Sequence, residues 1–143
     1  MWRRGERAQV RTASVLVAGV PVALLLGGCG ASVERQDAAA TADAFAADVT
    51  ADPAAACALL APRTLESVEQ GGSPCVQALP EADLPPQSER GTVSVAGHSA
   101  QVRYARETVF LSLFDDGWRV TAAGCSRTSS DQAVPYDCTV EGN

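Results

Sequence analysis

The spacing of apolar residues changes once along the chain, and this change divides the sequence into a helical half and a strand half. Between residues 37 and 80 apolar residues recur every three or four positions, the period of an amphipathic helix. The longest such series comprises Ala38, Ala42, Phe45 and Val49. After Arg90 apolar and polar residues alternate, the period of a half-buried strand. Helices followed by strands predict an α+β domain.

Capping residues predict where the helices of the first half begin. Asp37 is a candidate N-cap for a first helix over residues 37–51. Asp52-Pro53 opens a second helix, which we expect to stop at Pro62. A third helix is expected to start with Thr64 as its cap.

A short fourth helix opens at Ser73-Pro74, and a linker follows it. The linker runs from Pro80 to Arg90 and contains three prolines and four charged residues. These features place the helices within residues 37–80 and the strands within residues 91–141.

Two tight turns organise the predicted strands. Gly97-His98 separates two alternating segments, and Asp115-Asp116-Gly117 joins a dense apolar run to a return strand that begins at Trp118. Residues 134–140 predict a last, short strand, and Pro135 restricts it to an edge of the sheet. The pattern therefore predicts four or five antiparallel strands with short helices packed on one face of a curved sheet.

The first 28 residues have the three parts of a secretory signal peptide. Four arginines and one acid precede an apolar run from Ala13 to Leu26, and small residues end it. A stable membrane span needs about 20 apolar residues, so the run is too short for one. The stretch Leu26-Gly27-Gly28-Cys29 resembles the lipobox of bacterial lipoproteins. The alternative is an ordinary secretory signal, with Cys29 free or paired.

The lipobox resemblance implies a lipid anchor. It implies diacylglycerol on the Cys29 sulfur, cleavage before Cys29 and acylation of the new N-terminus. The expected location is the outer face of the cell membrane, with residues 29–36 as a lipidated tether and residues 37–143 as one domain. The stretch Gly117-Trp118-Arg119-Val120, followed by Ala122-Ala123-Gly124-Cys125, is similar to lipoproteins of actinobacteria, a likeness that implies no activity.

The charge balance after the signal excludes one class of partner. Seven arginines and 16 acidic residues follow Gly28, for a net charge of −9, and the chain contains no lysine. A chain this acidic repels nucleic acid, so no nucleic-acid partner is expected. Anionic headgroups are repelled too, so the fatty chains would have to hold the protein at the membrane.

The cysteine count predicts two disulfides. Five cysteines are present, and lipidation of Cys29 leaves four in an exported domain. Of the three possible pairings, Cys57–Cys75 and Cys125–Cys138 are favoured because each closes a short local loop. A zinc site made of the four thiolates is the alternative, but the spacing lacks the CxxC pattern that such sites use.

Residues able to support chemistry are few, and each has a structural interpretation. His98 with Ser99 is interpreted as an exposed turn, because adjacent residues do not form a catalytic triad unaided. Asp115 and Asp116 lack the further oxygen ligands of a calcium loop. The remaining candidates are an acid pair on a helix, three arginines in the sheet region and one tryptophan: Glu66, Glu69, Arg103, Arg106, Arg119 and Trp118.

These candidates are assigned as follows. Glu66 and Glu69 are interpreted as a solvated helix face, and Trp118 as a core residue. The arginines could form a patch for an anionic ligand, although paired surface charges are the default interpretation. No catalytic residue, metal site or cofactor is predicted.

The strand half resembles the last third of nuclear-transport-factor-2-like domains, in which helices rest inside a cone of strands. The resemblance is carried by Val109-Phe110-Leu111-Ser112-Leu113 followed by Asp116-Gly117-Trp118-Arg119-Val120. Enzymes of that superfamily use Asp or His inside the cone, whereas the inward positions here are apolar. The expected function is a non-enzymatic binding module for an envelope protein or a small apolar ligand. A small cone-fold enzyme, or a ligand-binding protein with an interior pocket, is the alternative.

Overall fold

A computed structural model describes residues 29–87 and 89–142, so the predicted signal peptide, residues 1–28, lies outside the described residues. The helices are α1 (Cys29–Ala51), α2 (Pro53–Ala58), α3 (Pro62–Glu69) and α4 (Cys75–Ala78). The strands are β1 (Thr92–Ala96), β2 (Ser99–Arg103), β3 (Thr108–Phe114), β4 (Gly117–Arg127), β5 (Tyr136–Asp137) and β6 (Val140–Glu141). The α+β prediction is confirmed. Within the described ranges, no helix is both long and apolar enough to traverse a lipid bilayer.

Helix α1 begins at Cys29, and the prediction that it starts at Asp37 is wrong. Residues 31–36 contain alanine, glutamate, arginine and glutamine, which favour helix, and the Arg35 Nε donates a hydrogen bond to the carbonyl of Ala31 one turn earlier. Asp37 therefore lies inside the helix. The predicted tether is part of the same helix, and Ala38 is the first buried residue in the described part of α1.

Helix α2 ends at Ala58, before the expected stop at Pro62, and α3 begins at that proline. Asp52 caps α2 as predicted, because its Oδ1 accepts a hydrogen bond from the Ala55 amide at 3.2 Å. Helix α3 starts at Pro62 rather than at Thr64, since proline lacks only an amide that the first helical turn leaves unpaired. Thr64 is buried instead, and its hydroxyl donates to the carbonyl of Thr121 in β4 at 3.0 Å. Thr64 therefore connects α3 to the sheet and does not cap the helix.

The sheet is an antiparallel meander in the order β1-β2-β3-β4-β5, with β6 also paired to β4. Both predicted turns are present: Ala96 pairs with Ser99 across Gly97-His98, and Phe114 pairs with Gly117 across Asp115-Asp116. Gly97 adopts a φ of +58°, the left-handed conformation that such two-residue turns require. Among the described residues, strand β1 forms one edge of the sheet and pairs with β2 alone.

Residues 136–141 form two short strands where one was predicted, so the described part of the chain has six strands and not the four or five expected. β5 and β6 pair with β4 in one continuous register, from Arg127 opposite Tyr136 to Ala122 opposite Glu141. Cys125 and Cys138 face each other at the centre of this register and form a disulfide. The strand is interrupted at this disulfide, where Gly124 also has a φ of +66°.

The core lies between α1 and the sheet. Helix α1 buries Phe45, which is 1% exposed, against a cluster that includes Leu111 and Val120. Trp118 is 6% exposed, which confirms its prediction as a core residue. Cys57 in α2 and Cys75 in α4 form the second disulfide at the rim of this core. Both disulfides have the pairing predicted from the sequence.

Candidate functional site

A buried carboxylate, Glu107, joins three parts of the chain at the end of the sheet where β2 turns into β3. It is 7% exposed. One carboxylate oxygen accepts a hydrogen bond from the Gln87 side chain in the linker, and the other accepts one from the Gly124 amide in β4. Burial raises the pKa of Glu107 above its usual range, although the two hydrogen bonds oppose this change.

A second polar contact lies beside Glu107. The amide of Tyr104 donates to the carbonyl of Glu107 at 2.8 Å, and the Tyr104 hydroxyl donates to Oδ1 of Asp43 in α1 at 2.6 Å. Burial, followed by the hydrogen bond to Asp43, raises the pKa of Tyr104. Tyr104 therefore stays protonated and ties α1 to the end of β2.

A cleft of about 280 Å³ between α1 and residues 84–87 ends at Glu107. Both oxygens of the carboxylate are occupied by donors from this chain, so Glu107 holds the linker against the sheet. Because the linker covers Glu107, the carboxylate acts as a structural latch between residues 84–87 and β4.

Glu107→Gln tests this latch through the pH dependence of stability. The raised pKa means that the folded protein takes up a proton more readily than the unfolded chain, so Glu107 costs stability at neutral pH and less as the pH falls. We expect the wild type to gain stability relative to E107Q between about pH 8 and about pH 4, in urea unfolding curves. Parallel pH profiles would contradict the raised pKa of Glu107, whereas equal stability of Glu107→Gln and Glu107→Ala would contradict the latch. Glu107→Ala, which removes both acceptors, should be less stable than E107Q at every pH.

Three arginines line an open groove at the same end of the sheet. Arg103 ends β2, Arg106 lies in the turn before β3, and Arg127 ends β4. The groove has a volume of about 300 Å³, and Tyr136 forms part of its wall. The Arg127 guanidinium lies over the Tyr136 ring in a cation–π contact, with its central carbon 4.4 Å from the ring centroid. All three arginines are exposed.

His98 lies at the opposite end of the sheet, in the β1–β2 turn. It is exposed and lines a groove of about 520 Å³ together with Glu34 and Arg35 of α1. Its backbone carbonyl accepts a hydrogen bond from the Leu113 amide at 2.8 Å. Ser99 is its chain neighbour and pairs with Ser112 in β3, so the geometry supports the turn interpretation for both residues.

Two of the four acidic candidates, Asp116 and Glu69, have structural partners. Asp116 forms an ion pair with Arg119, and the hydrogen bond from Arg119 lowers the pKa of Asp116. Arg119 also donates to the carbonyl of Ala58 at the end of α2. Glu69 accepts a hydrogen bond from the Cys75 amide at the start of α4 at 3.1 Å, which gives this carboxylate a structural contact.

Metal chemistry has no assembled ligand set in the part of the chain that the structure describes. Residues 29–87 and 89–142 contain no group of three or more His, Cys, Asp or Glu side chains placed to hold an ion. The four cysteines considered for zinc are joined in disulfides. The zinc alternative is therefore ruled out for these thiolates.

Comparisons with protein-family models, curated proteins and solved structures found no match to this chain.

Sequence reasoning identified two of the three groove arginines and missed Arg127. It also missed Glu107, because an isolated Glu before a strand normally signals solvent exposure. The signal available for Arg127 was its distance along β4 from the hairpin turn, which indicates the residue of β3 that it lies beside. Two register shifts between Thr108 and Leu111 alter that count, and the sequence does not reveal them.

Proposed function

We propose that this protein is a lipoprotein anchored through Cys29 to the outer face of the cell membrane, and that its domain is a non-enzymatic binding module. The anchor part of the proposal rests on the stretch Leu26-Gly27-Gly28-Cys29, and the observation that supports the binding module is the filled interior of the fold. The sheet positions that face α1 are apolar and buried, and the described grooves are open to the surface. A module of this kind binds its partner on its surface.

The chemistry of the described side chains supports binding more than catalysis. Glu107 is engaged by Gln87 and Gly124, while His98 lies at the other end of the sheet. General acid–base catalysis needs groups that converge on one reacting atom, and these two residues lie about a strand length apart. An interior pocket for a small apolar ligand is less well supported, because Phe45 and Leu111 fill the space under α1.

We further propose that the sheet is a member of the cone-shaped class that nuclear-transport-factor-2-like domains exemplify. Helix α1 lies across β1, β2, β3 and β4, and the register shifts between Thr108 and Leu111 are of the kind that bend a sheet. In this proposal α1 occupies the space that a pocket would need. The function therefore depends on the outer surfaces.

The anchor gives the domain a defined orientation in this proposal. Helix α1 starts at Cys29, and Ala31 and Arg35 line a groove with Gly97 and His98. The lipid would thus be attached at the end of the sheet that carries the β1–β2 turn. The arginine groove lies at the opposite end, roughly 30 Å away along the eleven residues of β4.

Cys29→Ala in the full chain tests the anchor. We expect the wild type in the membrane fraction, carrying lipid on Cys29 by mass spectrometry, and the variant released or unprocessed. The physical reason is that several buried acyl chains, at about 0.8 kcal/mol per CH₂, are required for stable attachment of an acidic domain. Ser32→Ala, on the same helix, is a control that should leave both fractionation and lipid unchanged. Unaltered lipid labelling in Cys29→Ala would refute the anchor.

A further inference from the structure

We infer that the groove formed by Arg103, Arg106 and Arg127 binds a small phosphate monoester. The inference rests on the proposed binding role, for which it names a site and a ligand class. Its starting observation is a concentration of positive charge: three of the seven arginines after Gly28 meet in one groove of a domain with a net charge of −9.

These arginines lack the acidic partners that surface arginines in an acidic protein usually have. Among the described residues, no Asp or Glu oxygen lies within ion-pair distance of these three arginines. The ion pair in the described part of the chain joins Arg119 to Asp116, outside the groove. The acidic side chain that lines the groove is Glu107, and its oxygens are already occupied by Gln87 and Gly124. The groove therefore carries local positive charge, whereas the domain as a whole has a negative net charge.

The geometry of Arg127 suits an anion. Its guanidinium lies over the Tyr136 ring, and the edge of that ring packs on Phe110 with centroids 5.0 Å apart. This cation–π contact holds the Arg127 guanidinium beside the groove, and a guanidinium presents its N–H donors as a planar fork. A planar fork of donors held in place is suited to bidentate contact with phosphate oxygens.

The size and the position of the groove favour a small, soluble ligand over a polymer or a lipid headgroup. A volume of about 300 Å³ is at the lower limit for small-molecule sites, which favours a small ester over a polymer. The groove lies at the end of the sheet away from Cys29, so a headgroup of the anchoring membrane is out of reach. Exposed Ser126 and buried Thr108 add hydroxyl-bearing residues to the lining.

The test is a titration of the full, processed protein in neutral detergent with phenyl phosphate, at constant ionic strength. Arginine Nε–H resonances report the binding. We expect saturable shifts confined to Arg103, Arg106 and Arg127, with affinity about tenfold weaker in each of R103Q, R106Q and R127Q because a charged hydrogen bond is lost. Arg90→Gln removes the same charge outside this groove and should bind like the wild type. Thermal unfolding checks that each variant is folded.

Several outcomes would overturn the inference. These are absence of saturation, equal weakening in R90Q, preference for benzoate over phenyl phosphate, and shifts seen only when phosphatidylglycerol is added to the detergent. The last two would assign the groove to carboxylates or to lipid headgroups. Fractionation of R103Q keeps this test separate from the anchor. R103Q should stay in the membrane fraction while its phosphate binding weakens, whereas unweakened binding with retained membrane attachment would refute the site and leave the anchor intact.

Discussion

Phe45→Ala is expected to destabilise the domain by roughly 3–5 kcal/mol, the usual cost of removing a buried aromatic ring. Phe45 is 1% exposed and lies on α1 at the centre of the cluster that joins this helix to the sheet. The loss has two parts, the transfer energy of the ring and the cavity that remains. A domain of this size has about 5–15 kcal/mol of stability, so the variant would lose a large fraction of it.

Urea unfolding followed by circular dichroism measures this loss. Phe114→Ala is the matched control, because the same atoms are removed from a side chain that is 40% exposed at the end of β3. We expect its cost to be below about 1.5 kcal/mol, since less apolar surface is returned to water. Equal costs for the two variants would contradict the packing of α1 on the sheet.

Removal of the Cys57–Cys75 disulfide by the double change Cys57→Ala and Cys75→Ala is expected to cost about 3 kcal/mol. The bond closes a loop with a sequence separation of 18, and the chain-entropy model gives about this value for such a loop. The bond connects α2 to α4 across the irregular turns between α3 and α4, where little other regular structure constrains the chain. A midpoint of thermal unfolding lower by roughly 10 °C follows.

Two measurements check the disulfide prediction. Peptide mapping without reductant should recover Cys57 linked to Cys75 and Cys125 linked to Cys138, and a crossed pair would contradict the fold. The double change of Cys125 and Cys138 is the comparison, with a sequence separation of 13. Its cost should be similar, near 3 kcal/mol, because the loop term depends only weakly on length. Full stability after either double change would refute the predicted role.

The helix boundaries show which parts of the fold local sequence can predict. Asp52 caps α2 as expected because a cap is a contact between a side chain and an amide three residues away. Thr64 has equally good capping chemistry, yet its hydroxyl donates to Thr121. The difference is a contact across 57 residues, which no local pattern contains.

Cys125 and Cys138 show the same division. Their pairing follows from the cysteine count and a short loop, once Cys29 is assigned to the lipid. Their position directly opposite each other on β4 and the final strand depends on the register of the sheet. That register divides one predicted strand into β5 and β6.

The sequence by itself determined the division into helices and strands, both hairpin turns and the disulfide pairing, because these depend on residue spacing and on contacts close in the chain. Tertiary structure decided the burial of Glu107 and the meeting of Arg103, Arg106 and Arg127. These residues are brought together by strand pairing and by the register shifts in β3, and the resulting geometry depends on long-range packing. The predicted lipid anchor at Cys29 and the arginine groove therefore have different origins, one in a local motif and the other in the fold.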